Sequence, residues 1–159
     1  NGDEASPNVL GFLNLTGLLG QDAGGDEIPD AYYKAMTQIM NTGKADPNLC
    51  FIHPLDWQEV RLMRTVDGMY IWGNPSEAGP MRLWGLPVVP TARVAQGTGG
   101  VGDFANYMKY VERRGIVVEI TDSHSTYFIE MKQALRATVR GCLKWTRPAA
   151  FAKVYNLNA

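Results

Sequence analysis

Gly97, Gly99 and Gly102 in the stretch QGTGGVGDF stand in the spacing G-x-G-x-x-G. Such a run can wrap backbone amides around a phosphate when a strand feeds it and a helix leaves from it. Upstream, LWGLPVVPT is apolar, partly β-branched and bounded by prolines, so the strand requirement is met. Downstream, FANYMKY reads as well extended as helical and leads through Arg113, Arg114 and Gly115 into the β-branched IVVEI. Asp103 and Phe104 occupy the places where a phosphate loop needs a lysine and a hydroxyl residue, and a carboxylate there would repel phosphate. The residues therefore favour glycines that supply positive φ in a long flexible turn between strands over a nucleotide-dependent enzyme using Gly97 to Gly102.

Other groups capable of chemistry are few. His53 precedes Pro54 at a helix start, a place for a capping or packing residue rather than a base. His124 lies in TDSHSTY beside Asp122, Ser123 and Ser125, but a hydrolytic triad converges in space from distant parts of a chain, so the stretch reads as a turn. Cys50 and Cys142 are far apart inside apolar stretches and read as buried free thiols. With two histidines, two cysteines and no C-x-x-C or H-x-x-x-H, no zinc site is expected. Asp26, Glu27 and Asp30 cluster at a helix start, where the macrodipole already favours carboxylates without a metal. No catalytic residue, cofactor site or metal site follows from these groups.

Composition sets the outer limits. At 159 residues the chain fits one domain or two joined lobes, and surface scaling lets it bury about 69 percent of its unfolded surface without metals or disulfides. The net charge of −1 argues against a protein built to hold nucleic acid by neutralising phosphates. No apolar run approaches the roughly 20 residues of a membrane span and no signal-peptide pattern opens the chain, so a soluble, cytoplasmic protein without a membrane partner is expected. The chain opens on NGDEASPN, polar and without a methionine, as though residues upstream were missing.

Some elements can be placed from pattern. The first 30 residues are loop-rich. A helix follows with Pro29 at its first position, Tyr32, Met36, Ile39 and Met40 on one face, and Gly43 as its C-terminal cap. Leu49 to Ile52 is a short buried strand, and Pro54 opens a second helix that packs through Trp57, Val60 and its arginine stems. Asp67-Gly68 marks a turn, and GNPSEAGP a loop. FIEMKQALRATVRG is ambiguous: Phe128, Met131, Leu135, Val139 and Cys142 would share a helical face, while Ile129 to Val139 largely alternates as a strand about 36 Å long at about 3.3 Å per residue. On that strand Lys132, Arg136 and Arg140 fall on one side, either a solvated face or, with Arg113 and Arg114, a partner for carboxylates on a neighbouring subunit.

Several stretches carry a resemblance in order along the chain: NGDEASPNVLGFLN, HPLDWQEVRLMRTVDGMYIWGNP, LWGLPVVPT, the glycine stretch ending VGDF, and LRATVRGCLKWTRPAAFAKV. G-L-P-V, then V-G-D-F, then R-P-x-A-F is the most specific part. Together they resemble the carboxy-terminal half of the major capsid protein of tailed bacteriophages, the Hong Kong 97 type. The resemblance implies an α+β fold with an axial lobe, a mixed sheet with flanking helices, over 13–117 and 148–159. A partial peripheral lobe with long strands would comprise 1–12 and 118–147. It favours the strand for Ile129 to Val139, and places QGTGGVGDF as a turn before an axial-lobe strand.

The same resemblance implies a structural, non-enzymatic subunit of an icosahedral head shell, from a phage or a prophage. It would be found in the virion capsid, and in the host bacterial cytoplasm during assembly. Its partners would be copies of the full-length parent in pentamers and hexamers, with scaffold, portal and head protease, and packaged DNA only indirectly. An encapsulin-like compartment shell shares the fold and is the nearer alternative. Contact candidates, from loop position and charge, are Asp67, Gly68 and Met69 at a turn tip, Asn74 and Glu77 in GNPSEAGP, and Lys132, Arg136 and Arg140. The family's amino-terminal arm, extended loop and spine helix precede the first matching stretch, so the chain is expected to fold without closing a shell. Met131 and Thr138 stand where some relatives place the asparagine and glutamate of an isopeptide crosslink, so no self-crosslinking is expected.

Overall fold

A six-stranded mixed sheet organises most of the chain, and a separate pair of long strands organises the rest. The computed structural model describes residues 9–72, 79–123 and 126–157. Contacts divide the chain into two compact units, Asn1–Met108 with Trp145–Ala159, and Lys109–Lys144.

In the first unit the elements run β1 (Leu19–Asp22), α1 (Ile28–Gln38), β2 (Leu49–Ile52), α2 (Pro54–Leu62), β3 (Arg82–Leu83), β4 (Leu86–Pro90), β5 (Thr98–Gly102), α3 (Phe104–Tyr107) and, after the second unit, β8 (Phe151–Tyr155). The sheet order is β1-β8-β5-β2-β4-β3. β1 runs parallel to β8 and β2 parallel to β4, while β5 is antiparallel to both β8 and β2. Helix α1 lies across β1, β8 and β5, and buries Ala31, Tyr32, Ala35, Met36 and the following Ile39. Met40, expected on that face, is 42% exposed. The helix loosens into a π turn over Ile39–Gly43, which rotates Met40 off the buried stripe.

Gly43 also differs from its expected role. The left-handed residue that ends the helix is Lys44, at φ 50°. A Cβ on Gly43 would lie 2.2 Å from the carbonyl oxygen of Ala149, so the glycine permits a close backbone approach instead of a cap. Trp84 and Gly85 join β3 to β4 with φ of 51° and 84°, the doubly positive pair that a tight hairpin twist requires. A tryptophan is strained there. Its indole N–H donates to the carbonyl of Pro29 at 2.8 Å and its ring lies 4.9 Å from that of Tyr33, which holds the turn.

The glycine stretch is a strand, not the expected turn. Thr98–Gly102 is β5, hydrogen-bonded on both sides, and only Gly97 of this stretch has positive φ, at 75°. The other glycines are there for want of a side chain. A Cβ on Gly99 would meet the Tyr32 hydroxyl at 1.9 Å, one on Gly100 the Phe51 ring at 2.6 Å and the Phe12 ring at 2.8 Å, and one on Gly102 the Phe151 ring at 2.3 Å. Successive strand residues point to opposite faces, so Gly99 seats the side chain from α1, while Gly100 and Gly102 seat aromatic rings on the other face. There Phe12, Phe51, Phe104, Trp145 and Phe151 pack mostly edge-to-face, with centroids 5.1 to 6.4 Å apart.

The second unit is built on β6 (Met108–Thr121) and β7 (Ala134–Trp145). At one end the Thr146 amide donates to the Tyr107 carbonyl at 3.0 Å, and towards the other Arg136 meets Glu119, so the strands run antiparallel. The ambiguous segment is therefore a strand, but displaced from Ile129–Val139. Thr126 to Met131 forms a turn, closed by Glu130 N to Thr126 O at 3.0 Å and Lys132 N to Tyr127 O at 2.9 Å, and β7 begins only at Ala134. Gln133 and Ala134, the two residues out of phase with the alternation, lie at this junction.

Substitution of the β5 glycines tests their role. Gly99→Ala and Gly102→Ala should each destabilise the chain by about 1–3 kcal/mol in chemical denaturation, the usual cost of overpacking. Gly79→Ala, where an added Cβ meets nothing within 4 Å, should change stability by less than about 0.5 kcal/mol.

Candidate functional site

The amides around the glycine stretch are already used. Gly97 N donates at 2.8 Å to Oδ2 of Asp56, a buried carboxylate in the first turn of α2. The amides that open α3 are likewise engaged: Phe104 N donates to Asn48 Oδ1 at 3.0 Å, and Asn106 N to Asp103 Oδ1 at 3.1 Å. Asp103 is itself 3% exposed and accepts from the Asn48 and Asn106 side-chain amides, each at 2.8 Å. Side-chain oxygens of Asp56, Asn48 and Asp103 thus take the amides a phosphate would need, the Thr98 amide donates to the Ala95 carbonyl at 3.2 Å, and the rest of β5 is paired on both sides in the sheet. Among the described residues, the arrangement at the glycine stretch positions strands and leaves these amides no role in cradling a nucleotide.

The remaining chemical candidates have structural partners. His53 is the N-cap of α2, its Nδ1 accepting from Leu55 N at 3.2 Å, as expected of a capping residue. Ser123 hydrogen-bonds Thr121 through its hydroxyl at 3.0 Å and its amide at 3.2 Å; His124 and Ser125 lie outside the described residues. Asp26 pairs with Lys34, and Asp30 sits in the first turn of α1. Among the described residues no three His, Cys, Asp or Glu side chains gather closely enough to hold a metal. Cys50 is buried, its thiol donating to the Pro87 carbonyl at 3.4 Å, and burial pushes its pKa up to about 12. Cys142, expected buried, is exposed, because β7 carries it on a solvent-facing side.

Surface geometry distinguishes the contact candidates. Asp67, Gly68 and Met69 do form a turn tip: Thr65 N donates to Met69 O at 2.8 Å, Gly68 N to Thr65 O at 2.9 Å, and Gly68 has φ 84°. Val66 and Met69 project there, fully exposed and 66% exposed respectively. Asn74 and Glu77 lie outside the described residues. Lys132 precedes β7 and pairs with Glu130, whose carboxyl it holds below its usual range. Arg136 pairs with Glu119, and its hydrogen bond and charge, with a smaller contribution from Arg114, hold that carboxyl below its usual range. Arg140 lines a depression with Val111, Arg113, Gly141 and Cys142.

Pattern reading missed the two-sidedness of this strand pair. Arg113 shares its depression with Arg140, while Glu119 and Thr121 line another with Ala134 and Arg136, so odd residues of β6 and even residues of β7 share one face. The other face carries Tyr110, Ile116, Val118, Ile120, Leu135, Val139 and Leu143, with Ile116 76% and Leu135 67% exposed. Tyr110 lies over Gly141, where a Cβ would come within 2.1 Å of its hydroxyl. Alternation in IVVEI and in ALRATVRGCL was the available signal.

The comparisons with known proteins agree with this geometry. The profile of the Phage capsid family matches residues 1–155. The chain is 28% identical to the major capsid protein of Enterobacteria phage HK97 over 155 residues, which span 96% of this chain and 40% of that protein. Among solved structures it superposes on the capsid of the native GTA particle with TM-score 0.73 at 20% identity, covering 96% of this chain and 57% of the other. The virus-like particle from Pyrococcus furiosus gives TM-score 0.62 at 10% identity, over 90% of this chain and 58% of the other. The expected α+β capsid fold of Hong Kong 97 type is the fold observed.

Two measurements follow. A nucleotide titration should leave the melting temperature unchanged, whereas a specific ligand at about 100 times its Kd would add about 2.7 kcal/mol. Alkylation of the native chain should label Cys142 within minutes and reach Cys50 only after unfolding, read by peptide mass spectrometry.

Proposed function

The chain belongs to the Phage capsid family, and from that premise we propose that it is the carboxy-terminal part of a structural subunit of an icosahedral phage or prophage head shell. The chain spans about two-fifths to three-fifths of the length of the relatives it matches, so the activity and partners of the whole polypeptide belong to this proposal. The observation that carries it is the pairing of a well-buried mixed sheet with a long two-stranded sheet whose apolar face is exposed. An isolated strand pair is marginal in water, so such a face is made to be covered. In the parent, the spine helix implied by the resemblance would cover it.

On this basis 13–117 with 148–159 are the axial lobe and 1–12 with 118–147 part of the peripheral lobe, a division that differs from the compact units in grouping 1–12 and 118–147 together. Asp67 to Met69, the loop holding Asn74 and Glu77, and Lys132, Arg136 and Arg140 are proposed contacts between copies in pentamers and hexamers. Each contact can be weak, because every subunit touches several neighbours and each one formed raises the effective concentration of the next. Scaffold, portal and head protease would act during assembly in the host cytoplasm, with packaged DNA touched only indirectly. The similarity to the phage HK97 protein favours a phage head over a cargo compartment.

Sizing tests the proposal. The chain alone should elute as a small species, while the full-length parent should yield closed particles visible by electron microscopy. A parent that stays monomeric with scaffold and protease supplied would overturn it. Genes for a terminase, portal and head protease beside its own would separate the phage head from the compartment shell.

A further inference from the structure

Near-neutrality of the chain conceals a separation of charge. Residues 109–144 hold seven Lys and Arg against four Asp and Glu, while the rest of the chain holds eight against twelve. Within the second unit most of the basic side chains on the two strands fall on the face opposite the apolar one. Lys109, Arg113, Arg140 and Lys144 all fall on it by strand alternation, and Arg113 and Arg140 line a single depression of about 370 Å³. The acid that alternation places on the same face, Glu119, is occupied by Arg136 and Arg114, and Glu112 beside Arg113 falls on the other face. Among the described residues, Lys109, Arg113, Arg140 and Lys144 enter no ion pair. Like charges facing across two strands repel, so this arrangement costs stability in the free chain. An anionic group seated between Arg113 and Arg140 would reverse that cost.

The lining of the depression narrows the kind of anion. Val111, Gly141 and Cys142 supply a weakly polar wall beside the two guanidinium groups. A carboxylate on an aliphatic stem meets both the wall and the charges; a phosphodiester backbone would meet only the charges. Acidic side chains with such stems are present on the first unit, where Glu27 and Glu59 edge a concavity of about 270 Å³ with Asp26 and Met63. Asp26 is taken by Lys34, but Glu27 and Glu59 enter no ion pair among the described residues.

We propose that the basic face around Arg113 and Arg140 docks the acidic concavity edged by Glu27 and Glu59 on a second copy of this chain. This deepens the shell-subunit proposal and rests on it. Because the two surfaces differ, the contact is head-to-tail, the kind that closes rings instead of stopping at a dimer. It is also largely electrostatic and solvent-exposed, so it is weak and salt-sensitive, with screening over about 10 Å at about 0.1 M salt.

Sedimentation velocity on the purified chain tests the pairing. Self-association should be measurable at about 20 mM salt and at least about tenfold weaker at about 500 mM. Arg113→Glu with Arg140→Glu should abolish it, and Glu27→Lys with Glu59→Lys should do the same. Mixing the two charge-reversed proteins should restore association between them. All four positions are on the surface; circular dichroism checks folding, and the neutral pair Arg113→Gln with Arg140→Gln gives a second, milder loss if a reversal disturbs the strands. A chain that remains monomeric at low salt, a reversed variant that associates like the original, or a mixture no tighter than its components would overturn the proposal. So would a DNA duplex bound by the original and lost in the arginine variants while self-association persists. Should the parent carrying the arginine reversals still form closed particles, this contact is refuted while the shell-subunit proposal stands.

Discussion

Strand β5 lies within the sheet between β8 and β2, and along Thr98–Gly102 it offers the core one sizeable apolar side chain, Val101. That scarcity sets the spacing of everything around it. On one face the absent side chain of Gly99 lets Tyr32 descend far enough for its hydroxyl to donate to the Phe51 carbonyl at 2.8 Å, which ties α1 to β2 across β5. On the other, Gly100 and Gly102 admit the rings of Phe12, Phe51 and Phe151 against the backbone. A strand of ordinary residues would hold both layers further off. Burial raises the pKa of Tyr32 well above its ordinary value, so the phenol is protonated and able to donate at neutral pH.

The glycines show how far sequence reading reaches. Their spacing was visible, and so was the reason to doubt a phosphate site, since Asp103 stands where a lysine should. Their actual role was not, because close approach depends on which distant rings arrive, and a glycine excused by crowding looks in sequence like one excused by positive φ. Gly43 repeats the lesson, answering to Ala149 more than a hundred residues away. By contrast, His53 and Pro54 announced the start of α2, because a cap is a contact between near neighbours. The strand at 134–145 was legible as alternation, and its onset was not: the turn at Thr126 to Met131 is closed by backbone bonds that any residues could make.

The contact candidates follow the same division. Asp67-Gly68 was readable as a turn because positive φ at Gly68 is a local demand. Arg136 and Arg140 were readable as one charged side of a strand, whereas the identity of Arg136's partner, Glu119, needed the antiparallel pairing of two strands separated by a long link. Lys132 was assigned to that side only because the strand was expected to begin too early. Resemblance supplied the larger frame, since no count of charges or hydrophobic residues distinguishes a shell protein from an enzyme of the same fold class.

The two units also differ in what holds them. The first has a true core, with Tyr32, Ile39, Ile52, Val60, Leu83 and Phe151 almost wholly withdrawn from water. The second is built on a single two-stranded sheet and leaves Ile116, Val118, Ile120 and Leu135 in solvent. Apolar area costs roughly 25 cal/mol per Å² to expose, so whatever covers that face contributes to folding and to association by the same burial. Anything that binds the ordered form and not the disordered one stabilises it in proportion to the logarithm of its concentration. The order of such a strand pair is then partly a property of whatever covers its apolar face, and not of the two strands alone.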